Sequence, residues 1–547
     1  MRNRLVISLS VILGLSFVLA WVSSGFESLQ GWGSFLAVLL LGAGILGLGW
    51  FAVQTKFCSQ PESPIPNPQS PISNPQSPIP NPQSPLPSWL GWLILGAAVL
   101  RLTAGILWFV ALPQWGHGTE VEMSGYVMSD AYKRDTAAWE LSQSDKPLWT
   151  AFQDYRLADQ YGGLLFLSAG IYRHLGGAAH QPLMMVVLTA AFSALAVLFT
   201  WAFTRRLWGD DAARVAAWIL ALYPEAVLLG SSQMREAFTM TLAAAAFYGL
   251  VLVWQERTWT GGVWLLGALL LGIPLSPTFT ALLAVTLVTL GVFLGHRRWG
   301  RDWRLWAALA GLICIGLTGI WIFGERLIPG GGANPAALLQ QWVRLTAQWQ
   351  TYTGGHSSGW MQKIFKLTPD WAHTLILSGY GVVQPFLPAA MIATGNWLWR
   401  AIALWRAIGW TFVLLFLMYA PMRAVRKRVW SSALGMSAVV WLVILTASLR
   451  SGGDQWDNPR YRASFVALQA ALAAWAWVEQ RREPDPWLRR VLVGMGFVFA
   501  WFIPWYVRRY IPQITWPVVD LFKTLGLGLA SAVLYWIWDV VRSEIGD

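Results

Sequence analysis

The chain has 547 residues, 56% of them hydrophobic and only 12% charged, with 38 tryptophans and a formal net charge of +12. Soluble domains run near a quarter charged, so this balance excludes a soluble core and marks a polytopic membrane protein whose indole rings suit the headgroup boundary. The positive charge sits in short clusters between apolar runs, a topology signal and no indication of nucleic acid, while the two cysteines, Cys58 and Cys314, offer neither a disulfide framework nor a thiolate metal site.

In chain order, a basic start at Arg2 and Arg4 precedes the apolar run Leu5 to Val22, which lacks a small-x-small cleavage site and predicts a retained anchor. A second span follows from Gly31 to Val53, so residues 1–55 read as a pair of N-terminal transmembrane spans. Residues 56–88 form a low-complexity linker containing SPIPNPQSPISNPQSPIPNPQSPLP, a seven-residue repeat. Prolines at that density forbid helix and ladder and favour extended polyproline II, at ~3.1 Å per residue.

A membrane core is predicted over 89–300 and a C-terminal transmembrane region over 301–547, with a long outer loop at 324–373. The basic clusters are Arg2/Arg4, Arg205/Arg206, 296–301, 423–428 and 481–490. Keeping all of them cytoplasmic gives about fourteen crossings with both termini inside. Two stretches read as broken or dipping helices: 262–295, interrupted at Pro274-Leu-Ser-Pro277, and 375–391, with Pro385 and Pro388. The predicted fold class is all-α, a helical bundle in the plasma (inner) membrane.

This threading puts four polar segments outside: 113–182, 231–236, 324–373 and 450–462. The first contains SDAYKRDTAAWEL at 129–141, a charged helical pattern in which Ser129 or Asp130 can cap the N-terminus and Asp130 pairs with Arg134 four residues on. Tyr132, Asp135, Thr136 and Trp139 share the other stripe, predicting an amphipathic helix on the outer membrane surface with its aromatic side down.

The order of features around this helix carries a resemblance. Asp130 or Asp135, with Tyr132 and Ala137, is followed by Arg206-Leu-Trp-Gly209, Leu222-Tyr-Pro224 and Glu236. The region 89–300 thereby resembles the C-type membrane glycosyltransferases, in the branch of protein O-mannosyltransferases and lipid A aminoarabinose transferase. Two departures stand out: Gly162-Gly163 replaces a Pro-Pro pair common in relatives, and Ser276 precedes Pro277 where relatives often carry an arginine.

The resemblance implies a polyprenyl-phosphate sugar donor, a hexosyl or pentosyl transfer to an acceptor it does not name, and an Asp in the first large outer loop as general base. Such a transfer needs a carboxylate to take the acceptor's proton, cations to hold the leaving phosphate and a cavity closed to water. Asp130 is the first candidate base and Asp135 the second, with Glu120 and Glu122 as alternatives. Partial desolvation at the interface predicts a raised carboxylate pKa. Arg235 with Glu236, and Arg460 with Arg462, are the candidate phosphate and donor contacts, because a guanidinium offers a planar fork to phosphate oxygens. Tyr132 and Trp139 are candidate stacking surfaces for a sugar.

No metal site and no other cofactor is expected, since the six histidines form no helical His-x-x-x-His pair, although a divalent ion on Asp130 or Asp135 is compatible with the chemistry. Two rival functions use the same lipid-linked substrates. One is a transporter or flippase, to which broken helices are suited, and the other is a polysaccharide polymerase or ligase working from the later loop.

Overall fold

A computed structural model describes residues 2–58, 86–256, 259–295, 364–392, 395–427, 431–509 and 513–545, with a few isolated positions between. Among the described residues every regular element is a helix. The Pro-rich repeat, the basic cluster at 296–301 and most of the loop 324–363 lie outside them.

The N-terminal helices are α1 (Arg2–Ser23) and α2 (Trp32–Cys58). Then follow α3 (Ser88–Trp115), the short α4 (Glu120–Met123), α5 (Ser129–Gln143), a 3-10 turn at Leu148–Phe152 and α6 (Gly163–Leu175). The centre is built from α7 (Leu183–Trp208), α8 (Asp210–Leu222), α9 (Pro224–Gly230), α10 (Arg235–Glu256), α11 (Trp259–Leu275) and α12 (Pro277–Gly295). The C-terminal part holds α13 (Asp370–Val383), α14 (Leu387–Ile392), α15 (Trp397–Lys427), α16 (Ser432–Ser451), α17 (Asp457–Ala463), α18 (Val466–Arg482), α19 (Pro486–Arg508) and α20 (Leu521–Ile545).

Nine of the described helices are long and apolar enough to cross a membrane, and α8 with α9, bent by 53°, adds a tenth if the pair is one span. The expected total of about fourteen is not reached among the described residues. Part of the difference is α11, apolar but shorter than a full crossing, which meets α12 at the predicted break around Ser276.

The buried centre is α7, packed by α2, α3, α8 and α10 and sealed along nearly its whole length. Its sequence, LMMVVLTAAFSALAVLFTWAF, is apolar all round, which suits a helix with no face left to lipid or water. On the far side α18, rich in alanine, lies against α8 and α15 and lets those backbones approach closely.

The spans give the bundle two polar ends. At one, Arg205 and Arg206 meet Asp210 and Glu256, and Arg423 with Arg426 meets Asp485. At the other, the starts of α7 and α10 and the loop before α18 gather under α5. A helix of α7's length spans about 39 Å, so the two ends stand a bilayer apart. Three of the four polar segments grouped by the threading thus share one end: 113–182, 231–236 and 450–462.

Gly162-Gly163 has a steric reason. Gly162 is left-handed (φ +82°), and a Cβ there would stand 2.5 Å from the Ala151 carbonyl; one on Gly163 would stand 2.2 Å from that of Pro274. The start of α6 therefore seats on the end of α11, an approach a proline pair would block.

Candidate functional site

Helix α5 begins one residue earlier than its capping residues suggest. Met128 is the N-cap and makes no side-chain cap, so Ser129 and Asp130 stand in the first turn. Asp130 turns outward instead, and its Oδ2 accepts from Arg460 Nη1 at 3.0 Å. The expected i,i+4 pair with Arg134 does not form. Arg134 is buried and donates to the Gln233 carbonyl at 3.0 Å, with its Nε 3.6 Å from Asp159. A buried guanidinium takes the partners that desolvation leaves it, and those lie inward.

Arg460 is the hub of this end. Besides Asp130 it meets Asp457 through Nη1 at 3.2 Å and Glu236 through Nε at 3.0 Å. Burial alone would weaken its hold on the proton, but Glu236, Asp457, Tyr461 and Asp130 outweigh burial and raise its pKa. Glu236 opens α10, where a carboxylate also complements the helix dipole. Its neighbour Arg235 lies over the Tyr161 ring, 5.1 Å from the centroid. Among the described residues Arg235 Nη1 and Glu236 Oε2 are buried with no hydrogen-bond partner.

The result is a cluster of three arginines and four carboxylates, Arg134, Arg235 and Arg460 with Asp130, Asp159, Glu236 and Asp457, drawn from segments far apart in the chain. Asp130 is its open member, with a side chain 44% exposed. The expected rise in its pKa is not found. Burial pushes the carboxyl upward, but the fields of Arg460, Arg134 and Arg235 outweigh it and hold Asp130 below the ordinary aspartate value.

Asp135 has the opposite setting. Its side chain is fully buried, with Tyr172 donating to Oδ1 at 2.5 Å, Tyr126 donating to Oδ2 at 2.5 Å, and His180 Nε2 lying 2.8 Å from Oδ2. The second candidate base is therefore closed over by its own hydrogen-bond partners. Burial, then the charge of Asp135, drives the Tyr126 hydroxyl well above its usual pKa, so it stays a donor.

The aromatic candidates are engaged nearby. Trp139 stacks on His180 at 5.2 Å and meets Tyr172 edge-on. Tyr132 donates to Glu120 at 2.7 Å. Of the alternative bases, Glu120 holds that tyrosine, while Glu122 closes a capping box with Thr119 and accepts from Trp399. Trp139 thus packs on α6 and the His180 segment, and Tyr132 against Tyr126 and Glu120, where the sequence pattern alone predicts contact with the membrane surface.

Arg462 stands apart from Arg460. It is buried over Trp410, 3.4 Å from the ring centroid, and donates to the carbonyls of Gly381 and Gln384. Two residues along a helix face different ways, and here they serve different neighbours.

Two buried arginines inside spans complete the picture. Arg101 of α3 donates to the Ala97 and Leu220 carbonyls, the latter freed where α8 ends before Pro224. Arg406 of α15 forms a two-pronged pair with Glu225, both contacts 2.8 Å and both side chains 2% exposed. The pair has a sequence signal, an acid directly after a helix-breaking proline and an arginine inside a span, each of which points to function. No group of three or more His, Cys, Asp or Glu among the described residues is arranged to hold a metal ion.

No family model and no curated protein matches the chain. Solved structures do. The archaeal oligosaccharyltransferase AglB from Archaeoglobus fulgidus, in complex with an inhibitory peptide and a dolichol-phosphate, is 15% identical, with 81% of this chain and 56% of that chain aligned at a TM-score of 0.34. The apo form of the Archaeoglobus fulgidus oligosaccharyltransferase is 15% identical over 80% and 56% of the two chains, at a TM-score of 0.39. The chain spans about half the length of the solved structures it matches.

Proposed function

We propose that the protein is an integral membrane glycosyltransferase that moves a sugar from a polyprenyl-phosphate-linked donor to an acceptor hydroxyl. The observation that carries this reading is the meeting of Asp130, Arg235, Glu236 and Arg460 at one polar end of an apolar helical bundle. An anionic headgroup tethered to a lipid arrives at such an end from the side, with its tail still among the spans.

The roles follow from chemistry. The acceptor oxygen attacks the sugar's anomeric carbon, the bond from that carbon to the phosphate oxygen breaks, and the phosphate leaves with the electron pair. Asp130 takes the acceptor proton, and Arg460, aided by Arg235 and Arg134, stabilises the departing phosphate. Asp130 is paired with Arg460 in the free protein, which keeps it ionised. A bound phosphate draws on the same arginines, so their field on Asp130 falls and its basicity rises when donor is present. Asp135 holds α5 in place from inside.

The α5 end faces outward from the plasma membrane, the basic clusters and both termini face the cytoplasm, and the sugar is a hexose or pentose. No metal or other cofactor takes part.

The test is transfer from radiolabelled polyprenyl-phosphate sugars by purified protein in lipid, with Asp130→Asn and Asp135→Asn alongside. Label should reach an acceptor with wild type and not with Asp130→Asn. Label crossing the bilayer on its lipid, with no transfer from any donor, would overturn the proposal in favour of a transporter.

A further inference from the structure

The buried pair Glu225–Arg406 has no part in the reaction as written, and a pair of charges inside a span is costly unless its geometry is well used. Its surroundings show the use. Glu225 sits just past Pro224, where α8 breaks into α9, and α15 rides directly on that break: a Cβ on Gly409 would stand 2.5 Å from the proline ring. Arg406, one turn before Gly409, therefore meets Glu225 at closest approach, and the two-pronged contact fixes the plane of its guanidinium.

That plane has a second occupant. Arg406 Nη2 also donates to the Gln455 carbonyl at 3.1 Å, and the guanidinium lies over the Trp456 ring at 4.2 Å. Trp456 is the N-cap residue of α17, and the Arg460 amide donates to its carbonyl at 3.3 Å, one turn further on. From the other side α17 is held by Asn458, which donates to the Gly381 carbonyl of α13 at 2.7 Å. Arg460 is thus presented by a short helix whose N-cap residue is seated on Arg406.

We infer that Glu225 and Arg406 are positioning residues, a fixed ionic bridge between the two halves of the bundle that sets where Arg460 meets the donor phosphate. This rests on the reading of Arg460 as a phosphate ligand. The two bridges run between the same parts of the molecule but differ in kind. Glu225–Arg406 is sealed and two-pronged, whereas Arg460 shares one nitrogen between Asp130 and Asp457 beside the open side of the cluster. The first is built to stay and the second to exchange.

The test is a double-mutant cycle on the full chain in detergent, with farnesyl phosphate as the probe and binding measured calorimetrically for wild type, Arg406→Lys, Arg460→Lys and the double variant. Lysine at 406 keeps the charge opposite Glu225 but loses the fork and the flat face over Trp456. Each single change should weaken binding about tenfold, and the double variant should bind no worse than Arg460→Lys, because contacts acting through one group do not add. Losses that multiply, or an Arg406→Lys that binds as wild type, overturn the inference while leaving the phosphate assignment intact. An Arg460→Lys that binds as wild type removes the phosphate assignment, and the positioning role falls with it. Trp456→Leu leaves the ion pair whole and runs the same cycle if Arg406→Lys does not fold.

Discussion

The two aspartates of α5 lie five residues apart on one short helix and differ in almost everything else. Asp135 is sealed and takes its hydrogen bonds from two tyrosines, with a histidine beside it, whereas Asp130 is 44% exposed and is paired with one arginine that has two further carboxylates to satisfy. Donors that cannot leave make a carboxylate part of the scaffold. A cation shared among several carboxylates can be taken away by a competing anion, and that leaves a carboxylate ready to accept a proton. The side chain is the same at both positions, and the partners decide its work.

The sharpest way to break this comparison is to make both aspartates asparagine, one at a time. Asp130→Asn should lower transfer by roughly 10²–10⁴-fold, the range for loss of a general base, with little change in melting temperature. Asp135→Asn should cost about 2–4 kcal/mol of stability, because an amide NH₂ cannot accept the tyrosine hydrogen bond that the carboxylate oxygen did. Thermal melts in detergent separate the two. A stable Asp135→Asn protein with no transfer would exchange the two roles.

The pH dependence sharpens the contrast. Transfer requires Asp130 ionised, so activity falls as pH drops through its pKa, which the arginines hold below the ordinary aspartate value. The same sign applies to stability: a depressed carboxylate stabilises the fold above its unfolded pKa, and that contribution is lost as pH falls through the folded one. Arg460→Gln removes the strongest of the opposing fields and should move the acid limb of kcat/KM upward, measured as a pH–rate profile. For wild type the acid limb of kcat, which reports the donor complex, should lie above that of kcat/KM. Coincident limbs would mean that phosphate does not compete for the arginines.

The smallest effect belongs to the sealed end. Trp139→Phe keeps an aromatic ring but reduces its stacking on His180, and should cost about 0.5–1.5 kcal/mol with kcat unchanged. A large loss of transfer with normal stability would return Trp139 to the sugar.

Much of the architecture was legible in the chain. Uninterrupted apolar runs require helices in a bilayer, because the backbone has no other way to satisfy its hydrogen bonds there. The stretch Pro274-Leu-Ser-Pro277 marked a break that the helices obey at Ser276, and the charges at 130–140, 235–236 and 460 stood out against an apolar background. Hydropathy and helical spacing are local properties, so these readings needed no partner from elsewhere.

Partnership was decided only by the tertiary structure. Spacing offered Arg134 to Asp130, and the fold gave it to Asp159; Arg460 and Arg462 looked like a pair, and the helix turned one to the cluster and the other into the core. Interfacial desolvation predicted a raised pKa for the base, but three arginines from three helices reversed its sign. An ion pair and a pKa are each a balance between burial and the field of groups brought in from other segments, and no short window along the chain contains both sides of that balance.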